Sequence, residues 1–148
     1  MTTTVHHGVS WLASACARPS VALSGWASGG LAEVPIGPLF DVVRVIESVA
    51  QPVLERLRAA GAPVGPVLMC EPRSTWEFLV EPQSLDQVGP LLGAIAVTAG
   101  PRALLRCPRP GAVRPINGRS WLVWPAATGA LTHGADLVAE LRPQGDRP

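Results

Sequence analysis

The chain contains no lysine and no tyrosine, and aromatic residues make up only 5% of its 148 positions. All 12 basic residues are therefore arginine. Without lysine there is no Schiff-base amine, no lysine nucleophile and no P-loop lysine, so several enzyme classes fall away together. Charged residues are also scarce, at 16% against 47% hydrophobic. That balance excludes extensive disorder and suits a chain that buries a core. Net charge is +1, so no global field draws in nucleic acid or an anionic membrane. The 16 prolines and 15 glycines fit the codon bias of a GC-rich genome.

Cysteine is equally sparse. Cys16, Cys70 and Cys107 lie far apart, are odd in number and form no CxxC or zinc-ligand spacing. They exclude a disulfide framework and fit a reducing compartment. No metal and no cofactor is called for. The longest charge-free apolar run, 88–101, is too short and too broken by glycine and proline to span a bilayer, so no membrane partner is expected. Ala13-Ser14-Ala15-Cys16 resembles a lipoprotein cleavage site, but Met1–His7 carries no arginine and Leu12 sits one position too early. A cytoplasmic protein is expected.

Along the chain, residues 1–38 read as a loosely ordered lead-in, with a short helix near Val9–Cys16 and then turn-forming Gly, Ser and Pro. A single α+β domain is expected over 39–142, and a frayed tail over 143–148. Leu39–Ile46 is β-branched and reads as a strand. Ser48-Val49-Ala50-Gln51 is a capping box, followed by helical spacing of Val53, Leu54 and Leu57. Residues 65–70 and 75–80 read as two strands of a hairpin. Ser84-Leu85-Asp86-Gln87 forms a second box that predicts a helix with Leu85, Val88, Leu92 and Ile95 on one face. Strands are predicted at 103–107 and 120–124, and a last helix from Thr132 to Leu141. The order over 39–107 is βαββαβ, a ferredoxin-like or RRM-like sheet with two helices on one face, extended by a further strand and a C-terminal helix.

Charge is distributed unevenly. Between Asp86 and Asp136 there is no acid, yet Arg102, Arg106, Arg109, Arg114 and Arg119 lie there, giving +5 inside an otherwise acidic chain. Arginine forks bind phosphate bidentately, so these five are candidate nucleic-acid contacts, or else a solvated loop in a lysine-free protein. Trp76 and Phe78 share one strand face, as base-stacking aromatics do and as core aromatics do. Trp121 and Trp124 point to opposite faces, so at most one of them, with Trp121 as the candidate, could stack a base.

Catalytic constellations are poor. The only histidines are His6, His7 and His133, and Asp41 has Val43 where a second metal-binding carboxylate would sit. No catalytic residue is assigned.

Phe40-Asp41-Val42-Val43, Val53-Leu54-Glu55-Arg56-Leu57, Gly65-Pro66-Val67-Leu68, Trp76-Glu77-Phe78-Leu79-Val80 and the later Arg119-Ser120-Trp121-Leu122-Val123-Trp124-Pro125 together carry a resemblance. Over about residues 38–125 the chain resembles small bacterial proteins assigned to the bifunctional DNA primase/polymerase (Prim-Pol) family. The resemblance implies an RRM-like core and a DNA or nucleotide partner. Active members use Asp-x-Asp, Ser-x-His and a further acid, and this chain has Asp41-Val42-Val43, no Ser-x-His and no acid from 87 to 135. The expectation is a catalytically degenerate Prim-Pol-like protein that holds nucleic acid or nucleotide through its arginines. The alternative is a non-catalytic protein-interaction or regulatory module of the same fold, and an active primase/polymerase ranks last.

Overall fold

The computed structural model describes residues 2–85, 88–126 and 128–143. In chain order the elements are α1 (Thr2–Ala13), α2 (Pro19–Ala27), β1 (Ala32–Pro35), β2 (Asp41–Ile46), α3 (Glu47–Ala59), β3 (Val67–Cys70), a 3-10 turn (Glu71–Arg73), β4 (Thr75–Val80), β5 (Ala94–Val97), β6 (Leu104–Cys107), β7 (Arg119–Val123) and α4 (Gly134–Leu141). The fold is α+β. Five strands form one antiparallel sheet in the order β5-β2-β4-β3-β7, and β1 and β6 pair antiparallel as a separate ribbon.

Strand alternation gives this sheet two apolar faces, because successive side chains point to opposite sides. Val43 and Val45 of β2 and Trp76, Phe78 and Val80 of β4 pack with Val53, Leu54 and Leu57 of α3 and Leu137, Val138 and Leu141 of α4. Val42, Leu68, Leu79 and Trp121 pack on the other side against Leu12, Trp26, Val34 and Leu105. The sheet is thus the middle layer of three, with α3 and α4 below it and α1, α2 and the ribbon above.

Several expectations are corrected. The second helix expected over 84–95 does not form: 82–85 turn, 88–91 have no regular structure and 94–97 are strand β5. Ser84 Oγ donates back to Glu81 O at 2.6 Å instead of capping forward, and Gln87 of the box lies outside the described residues. Gly93 takes φ +63, a turn into the strand that a side chain would strain. Its carbonyl oxygen accepts the Ile46 N–H and so starts the β5–β2 pairing. The second helix over the sheet is α4, delivered from the C-terminal end of the chain.

The strand predicted at 103–107 forms as β6 but joins β1 rather than the main sheet. Its partner comes from the lead-in, whose described part holds two helices and a strand in place of loose structure. Burial explains the order there: Leu12, Ala22, Trp26, Val34 and Ile36 are all at most 4% exposed. Ser48, the expected cap of α3, does not serve as one. The helix starts at Glu47 with no side-chain cap, because β2 runs straight into it. The Glu47 N–H donates to Ser74 O instead, at 2.8 Å.

Thr132 seats the segment before α4. Its Oγ1 accepts the Gly65 N–H at 2.9 Å and its own N–H donates to Leu79 O at 3.2 Å. A Cβ on Gly65 would lie 2.5 Å from Leu131 Cα and 2.7 Å from Thr132 N, so only glycine permits this approach.

Candidate anion site

Pairing register determines which side chains lie together on the upper face of the sheet. Ile95, Arg44, Glu77, Leu68 and Trp121 form one row across β5-β2-β4-β3-β7. Beside it, Ile46, Thr75, Cys70 and Arg119 form the next. The ribbon and the N-terminal helices cover the Val42–Leu79 row and Trp121. The Arg44–Glu77 part and its neighbours form the floor of an open cleft.

That cleft has a volume of about 270 Å³ and is lined by Arg44, Arg73, Arg102, Arg106 and Arg119 with Glu33 and Glu77. Its lining carries three more positive than negative charges. Glu77 is the centre of the floor and is only 1% exposed. Arg44 Nε and Nη2 donate to Glu77 Oε2 at 3.1 and 2.8 Å, and Arg119 Nη1 donates to Glu77 Oε1 at 3.0 Å. A carboxylate this deep is tolerated only with such partners. Arg119 Nη1 also reaches Arg106 O at 3.2 Å, tying the floor to the ribbon.

The wall arginines are held differently. Arg106 pairs with Glu33 at 3.3 Å, both side chains more than half exposed, an interaction worth at most about 1 kcal/mol. Arg73 and Arg102 are exposed and make no ion pair among the described residues. An incoming anion therefore meets two unpaired guanidinium groups and a third that is cheaply released. Cys107, on the core side of β6, has its thiol pushed well above its ordinary range, first by burial and then by the nearby Glu77 carboxylate, with Arg119 opposing.

The structure brings Arg102, Arg106 and Arg119 together and leaves Arg109 and Arg114 exposed outside the cleft. Arg44 and Arg73 complete the site. They lie in the acidic half of the sequence, 29 or more positions before Arg102, so a count of local charge passes over them. Trp76 and Trp121 are not at this surface. At 7% and 6% exposed they are core residues, Trp76 under the helices and Trp121 with its Nε1 donating to Pro108 O at 2.9 Å. Neither ring presents a face to a base.

Asp41 is buried and accepts the Gln83 N–H at 2.9 Å, which supports the positive φ of +67 at Gln83. Among the described residues no three His, Cys, Asp or Glu side chains gather where they could hold a metal ion. Two larger cavities exist, about 500 Å³ between α2 and β1 and about 320 Å³ at the β3–β4 turn. The first is lined chiefly by small and apolar residues, and the second holds Glu47 and Glu71 without an arginine. Of these three, the arginine cleft is the one that concentrates positive charge.

No family model, curated protein or solved structure matches this chain. Among the described residues no helix is long and apolar enough to cross a membrane.

Proposed function

We propose that this protein binds a phosphate-bearing ligand, nucleic acid or nucleotide, in the arginine cleft and does no chemistry on it. The observation that carries the reading is the convergence of five arginines from β2, the 3-10 turn, the segment before β6, β6 itself and β7 around one buried carboxylate. Glu77 neutralises one charge of the floor and fixes the forks of Arg44 and Arg119. Arg73, Arg102 and Arg106 are left for bidentate contact with phosphate oxygens.

The sheet order β5-β2-β4-β3, with its β3–β4 hairpin and crossover through α3, supports reading the core as a ferredoxin-like plan in which α4 replaces the second crossover helix. On that reading β7 extends the sheet at the β3 edge. The proposed likeness to degenerate Prim-Pol proteins rests on Phe40–Val43, Val53–Leu57, Gly65–Leu68, Trp76–Val80 and Arg119–Pro125, and Asp41-Val42-Val43 together with the hydrogen bond to Asp41 supports a non-catalytic member.

Binding of a labelled single-stranded oligonucleotide at two salt concentrations tests the proposal. The unsubstituted chain should bind with salt-sensitive affinity. Arg73→Ala/Arg102→Ala should flatten the slope by roughly 0.7 for each phosphate that is no longer neutralised. Absence of binding at low salt overturns the nucleic-acid form of the proposal, and absence of mononucleotide binding overturns the nucleotide form.

A second reading, a protein-interaction module, is favoured by one feature. Among the described residues β7 is an edge strand, and Leu122 within it and Trp124 just after it are 39% and 44% exposed. Such an interface would persist at high salt, where phosphate binding fades.

A further inference from the structure

The arginine cleft does not end at Arg44. The same side chain forms the border of a second depression, about 220 Å³, lined by Ile46, Thr75, Gly93, Ala94 and Ile95. Register explains the adjacency. Ile95 is the cross-strand partner of Arg44 on β5, as Glu77 is on β4, and Ile46 follows two residues after Arg44 on the same face. The upper face therefore reads, from the β5 edge inward, as apolar trough, Arg44, then charged cleft.

Ile46 and Ile95 are 45% and 57% exposed, unusually open for isoleucine, and they sit next to each other beside a guanidinium. Arg44 is held by Glu77 through Nε and Nη2, so its plane is fixed while it separates the two depressions. A fixed guanidinium plane flanked by branched aliphatic side chains is a platform for a flat apolar group. Neither depression alone reaches the size of an ordinary small-molecule site, whereas the two side by side do.

We infer that the cleft and trough form one bipartite site for a small amphiphilic anion, a phosphate monoester whose head lies among Arg73, Arg102 and Arg106 and whose flat apolar body lies on Ile46, Ile95 and the Arg44 plane. This rests on the phosphate-binding reading above and adds the chemical class of the ligand. It also assigns a role to residues with no charge and no place in that reading.

Phenyl phosphate and methyl phosphate separate the two parts, since both are dianionic monoesters above pH 7 and only one carries a flat apolar body. Their affinities for the full chain can be read by NMR titration at pH 8. Phenyl phosphate should bind about tenfold more tightly than methyl phosphate. Ile95→Thr and Ile46→Thr, both at exposed positions, should erase that ratio and leave methyl phosphate unchanged. Arg102→Ala should weaken both ligands. Equal affinity of the two esters, or a ratio that survives both isoleucine substitutions, overturns the bipartite site while the phosphate reading stands. If neither ester shifts any arginine signal, the phosphate reading itself falls and the inference with it.

Discussion

Arg44 and Glu77 stand directly opposite each other on β2 and β4, and two nitrogens of the arginine converge on a single oxygen, Glu77 Oε2. Arg119 takes the other oxygen from β7. Three strands are thereby pinned through one buried carboxylate, on a face whose Val42–Leu79 row is apolar.

Removing that carboxylate should be costly. Glu77→Ala leaves two arginines crowded together with no counter-charge and should lower stability by about 3–5 kcal/mol in urea denaturation. The triple replacement Arg44→Met/Glu77→Leu/Arg119→Met should cost less than Glu77→Ala alone, because no charge is then stranded. If the single and triple variants lose the same stability, the triad is not the electrostatic unit described.

The two core tryptophans should respond differently to loss of the indole nitrogen. Among the described residues Trp76 Nε1 has no hydrogen-bond partner, whereas Trp121 Nε1 donates to Pro108 O. Trp121→Phe should therefore be about 1 kcal/mol more destabilising than Trp76→Phe. Neither substitution should alter the salt slope of oligonucleotide binding, and a Trp76→Phe variant with weakened binding would place that ring at the ligand after all.

Alkaline pH isolates one kind of group. Lysine and tyrosine, which also ionise at alkaline pH, are absent from the chain, so the Cys107 thiol can be read there without them. The folded state holds the Cys107 proton above its ordinary range, so the unfolded chain is the one that loses protons first. Stability contributed by this group is complete below the ordinary thiol value of 9.0 and declines as the pH rises past it. The decline should reach up to about 1.4 kcal/mol per pH unit, and Cys107→Ala should remove most of it. A denaturation series from pH 8 to 11 on both proteins measures this directly.

Gly65→Ala should cost more than about 2 kcal/mol, since its Cβ would meet backbone atoms of Leu131 and Thr132 that carry the chain into α4. Gly61→Ala, at positive φ (+72) but with open space around it, should cost about 1 kcal/mol. Thermal melting of the two variants gives the comparison.

Much of the central sheet is legible in the sequence because its strands carry β-branched runs between turn residues, as in Asp41–Ile46 and Thr75–Val80. The helix expected at 84–95 shows where local signals mislead. Ser84-x-x-Gln87 and the helical spacing of Leu85, Val88 and Leu92 run through Gly89-Pro90 and Gly93, whose backbone needs outweigh that spacing. Pairing partners are non-local, so nothing near Leu104–Cys107 announces that β1 will claim it. The site divides similarly. Arg102, Arg106 and Arg119 stand out as an acid-free stretch, but Arg44 and Arg73 join them only through strand register, and Glu77 is recognisable as its centre only in three dimensions.

The most direct test of the central claim is an NMR titration of the arginine Nε–Hε signals with a short single-stranded oligonucleotide at low salt. Shifts concentrated at Arg73, Arg102 and Arg106, with Arg44 and Arg119 moving through the shared carboxylate, are the predicted result. Shifts confined to Arg109 and Arg114 would contradict it and move the binding surface from the cleft to the exposed loop.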